Sequence, residues 1–348
     1  MNSGGTTMLK FTGYEKGINL GGWFSQCCHT TEHYDTFITE ADFERLSGWE
    51  IDHVRIPIDY DLLENADGTP TDYGMQYIQT AVDWCGKYHL NMVLDLHKTA
   101  GYSFDVGEAE SGFFFDTALQ ERFYQLWERL AKAFGQYEDR VAFELLNEVT
   151  DRSYCNTWNS VADICIQRIR KFAPNTKILV GGYWNNSVLA VPDLLMPYDE
   201  NIVYNFHCYE PLIFTHQGAG WVENMPSDFR TEFPKPTAFY QKLSDDLKLY
   251  HANLLYLSSP TARGADFFRQ MFAKAVRIAE ERNVPLYCGE YGVISLADPE
   301  STIEWHKAIH EAFEDYGIGR AVWSYKEMDF GLVDADRADS FAAVSVLL

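Results

Sequence analysis

The sequence predicts an α/β fold, a single (β/α)8 TIM barrel, and three observations carry that prediction. Eight short apolar runs alternate with eight amphipathic helical stretches, the pattern of a parallel sheet wound with crossover helices. Eight is the repeat number at which such a sheet closes on itself. The length of 348 residues suits one barrel with insertions, and no linker, low-complexity tract or long charge run divides it.

The elements follow in order. Strands are expected at 16–23, 53–58, 91–97, 141–148, 177–183, 202–209, 285–291 and 319–325. Each is a short run in which apolar residues dominate and which breaks off on a polar or aromatic residue. Helices are expected at 40–47, 72–88, 117–134, 157–172, 188–195, 236–256, 262–281 and 302–316. The clearest is 117–134, where Leu119, Phe123, Leu126, Leu130 and Phe134 recur at three- and four-residue steps. The longest interval between strands, 210–284, carries two of these helices and a loop, 211–234, with His216, Gly218, Gly220 and Trp221. That loop is expected to form a lid or a groove wall. Residues 1–348 are read as one catalytic domain with its core at about 16–326.

Composition narrows the function. The formal net charge of −23 repels nucleic acid and anionic membranes at long range and leaves an uncharged substrate unaffected. Aromatic residues make up 15% of the chain, with 9 Trp and 21 Tyr, enough to line a groove for flat, amphipathic ligands such as sugars. The seven cysteines form no CxxC pair, so reduced thiols are expected. The N-terminal residues carry no basic segment followed by an apolar one, and no run of about 18 apolar residues is present. These features predict a cytoplasmic chain that does not span a membrane. No oligomeric state is read from the sequence.

Barrel enzymes place their reactive groups at the C-terminal ends of the strands. Here those positions hold Arg55, His97, Asn147, Glu148, His207, Tyr209, Glu290 and Trp323. Glu148 and Glu290 each end an apolar run on a carboxylate, which is costly inside a strand and useful at its end. Two carboxyls, a stacking ring and several uncharged donors suit the cleavage of a glycosidic bond: one carboxyl protonates the leaving oxygen and the other attacks or stabilises the sugar cation. Glu144 also lies on the fourth strand, but about 13 Å deeper at about 3.3 Å per residue. It is therefore read as a buried, paired structural group. Trp23, Tyr102, Phe104, Trp184, Trp221 and Phe330 are candidate groove aromatics, and His29 is expected to line the groove from the first strand-to-helix loop.

The motifs Gly17-Ile18-Asn19-Leu20-Gly21-Gly22-Trp23, His53-Val54-Arg55-Ile56-Pro57, Asp95-Leu96-His97, Leu146-Asn147-Glu148, Asn205-Phe206-His207-Cys208-Tyr209 and Gly289-Glu290-Tyr291-Gly292 resemble, in order, those of glycoside hydrolase family 5, the cellulase family. The resemblance implies a retaining double displacement without metal or other cofactor on a β-linked glucan or oligosaccharide. It makes Glu148 the acid/base and Glu290 the nucleophile. Asn147 would hold the sugar 2-hydroxyl, Arg55 and Tyr209 would contact Glu290 and keep it charged, His97 and His207 would bind substrate or orient the glutamates, and Trp323 would be the sugar platform. Glu148 would need burial or the Glu290 charge to stay protonated.

The chain departs from the family pattern at Val149, where a proline is usual, and at Phe24-Ser25-Gln26, after an opening that is similar to the exo-acting β-1,3-glucanases. The expected activity is endo-β-1,4-glucanase-like, with an exo-β-1,3-glucanase or a β-mannanase of the same family as alternatives. Two other classes compete. His29-Thr30-Thr31-Glu32-His33 matches the H-x-x-E-H pattern of some zinc peptidases, without an apolar stripe around it or an evident third ligand. A non-catalytic carbohydrate-binding barrel would lack one of the two glutamates, and both are present.

Overall fold

The computed structural model describes residues 8–105, 108, 111–249 and 254–335. Eight parallel strands close into one barrel in sequence order: β1 (Lys16–Asn19), β2 (His53–Asp59), β3 (Asn91–Lys98), β4 (Val141–Glu144), β5 (Ile178–Val180), β6 (Ile202–Cys208), β7 (Leu286–Tyr291) and β8 (Gly319–Val322). Ile18 of β1 pairs with Val54 on one side and Val322 on the other, which seals the ring.

Every predicted strand is present, most of them shorter. The predicted run 141–148 ends formally at Glu144, yet its ladder continues: Leu145 N donates to Leu179 O and Asn147 N to Leu96 O. The helix Thr117–Phe134 has the predicted bounds; Asp116 caps it by accepting from Ala118 N, and Phe123, Leu126, Trp127, Leu130 and Phe134 face the sheet. The region 188–195 is a 3-10 helix at Val188–Asp193, which contains Pro192. The expected helix at 236–256 stops at Asp246, and its positions 250–253 lie outside the described residues. The short helices Thr31–Thr36 and Leu212–Thr215 were not expected; each is too brief for a periodic apolar stripe.

The barrel interior is layered, because alternate residues of each strand point inward. The lowest layer is apolar: Val93, Ala142, Leu179, Val203, Tyr287 and Ala321 pack together above Phe11 and Tyr14. Two residues further along the strands come Asp95, Glu144 and Asn205, joined by Asn19 and Arg55, all buried. Another step reaches the rim with His97 and His207.

In β7 the alternation breaks. Phe206 pairs with Cys288 but His207 pairs with Glu290, so β7 carries one extra residue, a bulge at Gly289. Tyr287 belongs to the barrel interior, and Tyr291 points outward, stacked on Trp305 and edge-on to His310. Without the bulge Glu290 would face outward with Cys288; with it, Glu290 faces His207 across the rim.

Candidate active site

The site is built on one cation. Arg55 has no exposed surface, so its charge needs partners nearby. Its Nε and Nη2 donate to Glu144 at 2.7 and 2.9 Å, Nη1 to Asn19 Oδ1 at 2.9 Å and to Glu290 Oε1 at 2.7 Å, and Nη2 to Asn147 Oδ1 at 2.9 Å. Glu144 is the paired structural carboxylate the sequence predicted. It also accepts from Asn205 Nδ2 at 2.7 Å, and Asn205 Oδ1 accepts from Gly289 N at 3.0 Å. The guanidinium thus ties β1, β2, β4 and β7 together beneath the rim, and Glu144 adds β6 through Asn205. The second oxygen of Glu290 accepts from the Tyr209 hydroxyl at 2.9 Å.

Glu148 has a different environment. Its side chain is 12% exposed, and no lysine or arginine among the described residues pairs with it. His207 Nδ1 lies 2.7 Å from Oε1, and Asn185 Nδ2 donates to Oε2 at 3.0 Å. Burial pushes its carboxyl up to about 7, against the pull of the Asn185 hydrogen bond and the Arg55 charge. Of the two causes the sequence offered, burial is therefore the operative one. His207 is held neutral, its pKa pushed down to about 4 by burial. A carboxylate oxygen of Glu148, one of Glu290 and a ring nitrogen of His207 all lie within 4.8 Å of one another. Two carboxyls about 5–5.5 Å apart suit a retaining displacement, whereas an inverting pair stands about 6.5–9.5 Å apart.

The backbone at Glu148 is strained, with φ of 44°, a conformation non-glycine residues seldom adopt. Val149, where the family proline is absent, follows it. The Tyr102 hydroxyl secures the turn from both sides, donating to Glu148 O at 2.6 Å and accepting from Thr150 N at 2.9 Å. Trp184, Asn185 and Asn186 are all left-handed, and Asn185 N bonds Val149 O. This turn after β5 delivers the Asn185 amide to Glu148 and the Asn186 amide to His207 Nε2 at 3.3 Å.

The remaining predicted residues divide. His97 lies parallel to Trp323, ring centres 5.9 Å apart, with Phe104 edge-on at 4.8 Å. Asn147 is buried and its Nδ2 has no hydrogen-bond partner among the described residues, an amide donor free for a ligand. Trp184 is 45% and Trp221 50% exposed; Trp184 is reached from the centre through neighbouring Asn185, and Trp221 through His216, which packs edge-on to Tyr209. The loop 211–234 thus places His216 beside Tyr209 and Trp221 beyond it. Trp23 is not a groove residue: it is 1% exposed and stacks on Phe24 and on Trp84 of the helix that follows β2. Tyr102 and Phe330 are likewise buried, and Trp323, 7% exposed, belongs to the same cluster as Phe330 and keeps only its His97-facing side for a ligand.

His29 is not brought to the glutamates. It precedes the helix Thr31–Thr36 with φ of 49°, and its ring nitrogens face Tyr34 at 2.9 Å, Asp59 at 3.5 Å and Asp61 at 3.7 Å. His33 turns instead to Gly22 O at 2.7 Å and stacks on Phe37. The two histidines do not share a helical face, so the zinc-peptidase arrangement is not formed. Among the described residues two trios have ligand atoms spaced closely enough for a cation, His29–Asp59–Asp61 and Glu148–His207–Glu290. All seven cysteines are free. No helix among the described residues is long and apolar enough to cross a membrane.

A closed eight-stranded barrel with two glutamates facing each other on its C-terminal rim defines an enzyme of the glycosidase class. The chain matches cellulase (glycosyl hydrolase family 5) over residues 10–329 and belongs to that family; it is a glycoside hydrolase. It is 45% identical over 313 residues to cellodextrinase A of Ruminococcus flavefaciens, covering 90% of this chain and 86% of that protein. It is 38% identical over 334 residues to endoglucanase C of Acetivibrio thermocellus, covering 93% and 94%. Thermotoga maritima Cel5A in complex with cellobiose has the same fold, with a TM-score of 0.74 at 23% identity over 95% of this chain and 97% of that one.

Proposed function

We propose that this chain is an endo-β-1,4-glucanase-like hydrolase acting on gluco-oligosaccharides with retention of configuration, Glu290 as nucleophile and Glu148 as acid/base. The observation that supports it most is the contrast between the paired carboxyls. Glu290 sits between a guanidinium and a phenol hydroxyl that compensate its charge, while Glu148, without such a cation, is raised to about 7 by burial. A buried carboxyl raised toward neutrality, facing one bonded to a guanidinium and a phenol hydroxyl, suits a division into acid and nucleophile.

Glu290 attacks the anomeric carbon as Glu148 gives its proton to the leaving glycosidic oxygen. The glycosyl ester on Glu290 is then hydrolysed by a water whose proton returns to Glu148. Asn147, with its unpartnered amide donor, binds the sugar hydroxyl adjacent to the reacting carbon; such a bond tightens in the transition state. Trp323 carries the sugar ring in the cleavage position, and exposed Trp184 and Trp221 extend the cleft for further rings. The names of the two relatives, a cellodextrinase and an endoglucanase, favour β-1,4-glucosyl substrates over the β-1,3 and mannosyl alternatives.

Product analysis on β-1,4- and β-1,3-gluco-oligosaccharides and β-1,4-manno-oligosaccharides, with Glu290→Ala as control, tests the reading. Cleavage of the β-1,4-glucosyl series by the native enzyme and its loss in the variant are expected. Equal activity in the variant removes Glu290 as nucleophile, and preference for another series reassigns the substrate.

A further inference from the structure

Asp95 is a buried carboxyl that the double displacement leaves unused. It stands on β3 one layer beneath His97, with 0% exposure. Its Oδ2 lies 2.5 Å from His97 Nδ1 and 3.0 Å from Arg55 Nη2. The two hydrogens of Nη2 are directed to Glu144 Oε1 and Asn147 Oδ1, so Asp95 receives the charge of Arg55 without a hydrogen bond from it. Its Oδ1 has no partner among the described residues. The hydrogen bond to His97 is therefore what fixes this carboxyl, and equally what fixes the ring. With Nδ1 engaged, the nitrogen left for a ligand is Nε2. The ring that carries it is held parallel to Trp323, the surface on which the sugar is proposed to lie.

We propose that Asp95 is a positioning residue for the sugar in the cleavage site: it anchors His97 through Nδ1, fixing the ring beside Trp323 so that Nε2 meets a sugar hydroxyl. The arrangement works whichever partner holds the shared proton, because a hydroxyl both donates and accepts. It rests on the glycosidase reading for the identity of its ligand. The alternative is that Asp95 only balances the charge of Arg55.

A double-mutant cycle separates the two. The kcat/KM for cellotetraose is measured for the native enzyme, Asp95→Ala, Asp95→Asn, His97→Ala and the double variant Asp95→Ala with His97→Ala, with melting temperatures alongside. A misplaced sugar-binding group costs about 10²-fold per ångström, so Asp95→Ala is expected to lose roughly 10- to 100-fold, and the double variant no more than His97→Ala alone. Asp95→Asn, whose amide still bonds Nδ1 but carries no charge for Arg55, is expected to keep most of the native activity. Losses that multiply, native-like activity in Asp95→Ala, or a loss in Asp95→Asn equal to that in Asp95→Ala each overturn the proposal. A second measurement needs no substrate: the 15N resonances of the His97 ring are expected to move in Asp95→Ala, and unchanged resonances overturn it. Native enzyme that cleaves no glycoside while those resonances move would instead refute the functional reading and leave the anchor intact.

Discussion

At the scale of single residues, the acid role proposed for Glu148 makes its protonation decide when the enzyme works. Burial raises its pKa to about 7, above the ordinary glutamate value of about 4.3. The acid must carry its proton to start the reaction, so kcat/KM is expected to hold below pH 7 and to fall about tenfold per pH unit above it. Glu148→Gln removes that alkaline limb, because an amide does not titrate. The same variant is expected to lose roughly 10²–10⁴-fold with sugar leaving groups and far less with a dinitrophenyl group, which departs without a proton. An alkaline limb that persists in Glu148→Gln would assign it to another group. Both glutamates were legible in the sequence, since an acidic residue ending an apolar strand has few structural uses. The environments that tell them apart were not, because Arg55 lies 235 residues from Glu290 and His207 59 residues from Glu148 (290 minus 55; 207 minus 148), and each pair meets only when the barrel closes.

At the scale of elements, backbone irregularities aim the side chains. The bulge in β7 turns Glu290 inward, and Gly289 permits it because Asn205 lies so close. A Cβ on Gly289 would fall 2.8 Å from Asn205 Oδ1 and 3.1 Å from His207 Nε2. Gly289→Ala is therefore expected to cost about 1–3 kcal/mol in denaturant unfolding, the usual penalty of overpacking, and to depress kcat more than KM. A stability and kcat equal to native would mean that the strand has room the packing denies. The Tyr102 hydroxyl braces the left-handed turn at Glu148, so Tyr102→Phe leaves a half-buried amide and carbonyl unpaired. A loss of about 1–3 kcal/mol and a lower kcat are expected, and an unchanged unfolding midpoint would remove Tyr102 as the brace. Such features explain what the sequence left hidden. Strand order followed from apolar runs, and Thr117–Phe134 from its period. The bulge, the Tyr102 brace and the left-handed turn at Trp184–Asn186 are one-residue departures from periodicity, so apolar spacing carries no trace of them. The Asn185-Asn186 pair was the one available signal, since asparagine tolerates left-handed backbone better than other non-glycine residues. Trp23 shows the converse error: an aromatic next to a strand end suits a groove and a core equally well.

At the scale of the whole molecule, a barrel that buries carboxyls must respond to alkali. Asp59, Asp95, Glu148 and Glu210 all have pKa values raised to about 7, with burial the largest cause in each. Unfolded, these groups release their protons near pH 4. A carboxyl with a raised folded pKa contributes stability that is complete below its unfolded pKa and lost as pH rises to the folded one. The buried histidines His97, His207 and His216, lowered to about 3, 4 and 4, act the other way, because their unfolded imidazoles release protons near pH 6.5. A tenfold difference in proton affinity between the folded and unfolded chain corresponds to about 1.4 kcal/mol, so the four carboxyls, partly offset by the three histidines, are expected to lower stability by a few kcal/mol between pH 5 and pH 8. The melting temperature should therefore fall over that interval. Asp52, lowered to about 2, also opposes the fall but is fully ionised in both states above pH 5. The net charge of −23 also opposes folding, and salt separates the two effects. At 1 M salt the Debye length is about 3 Å, which screens surface repulsion and leaves desolvated carboxyls almost untouched. A pH slope that survives 1 M sodium chloride and flattens in Asp59→Asn identifies the buried carboxyls as its source. A slope that salt abolishes would assign it to the surface charge instead. Glu148 contributes both to this slope and to the alkaline limb of catalysis. The loss of stability is therefore expected to level off near pH 7, where the loss of activity begins, and both arise from the same burial.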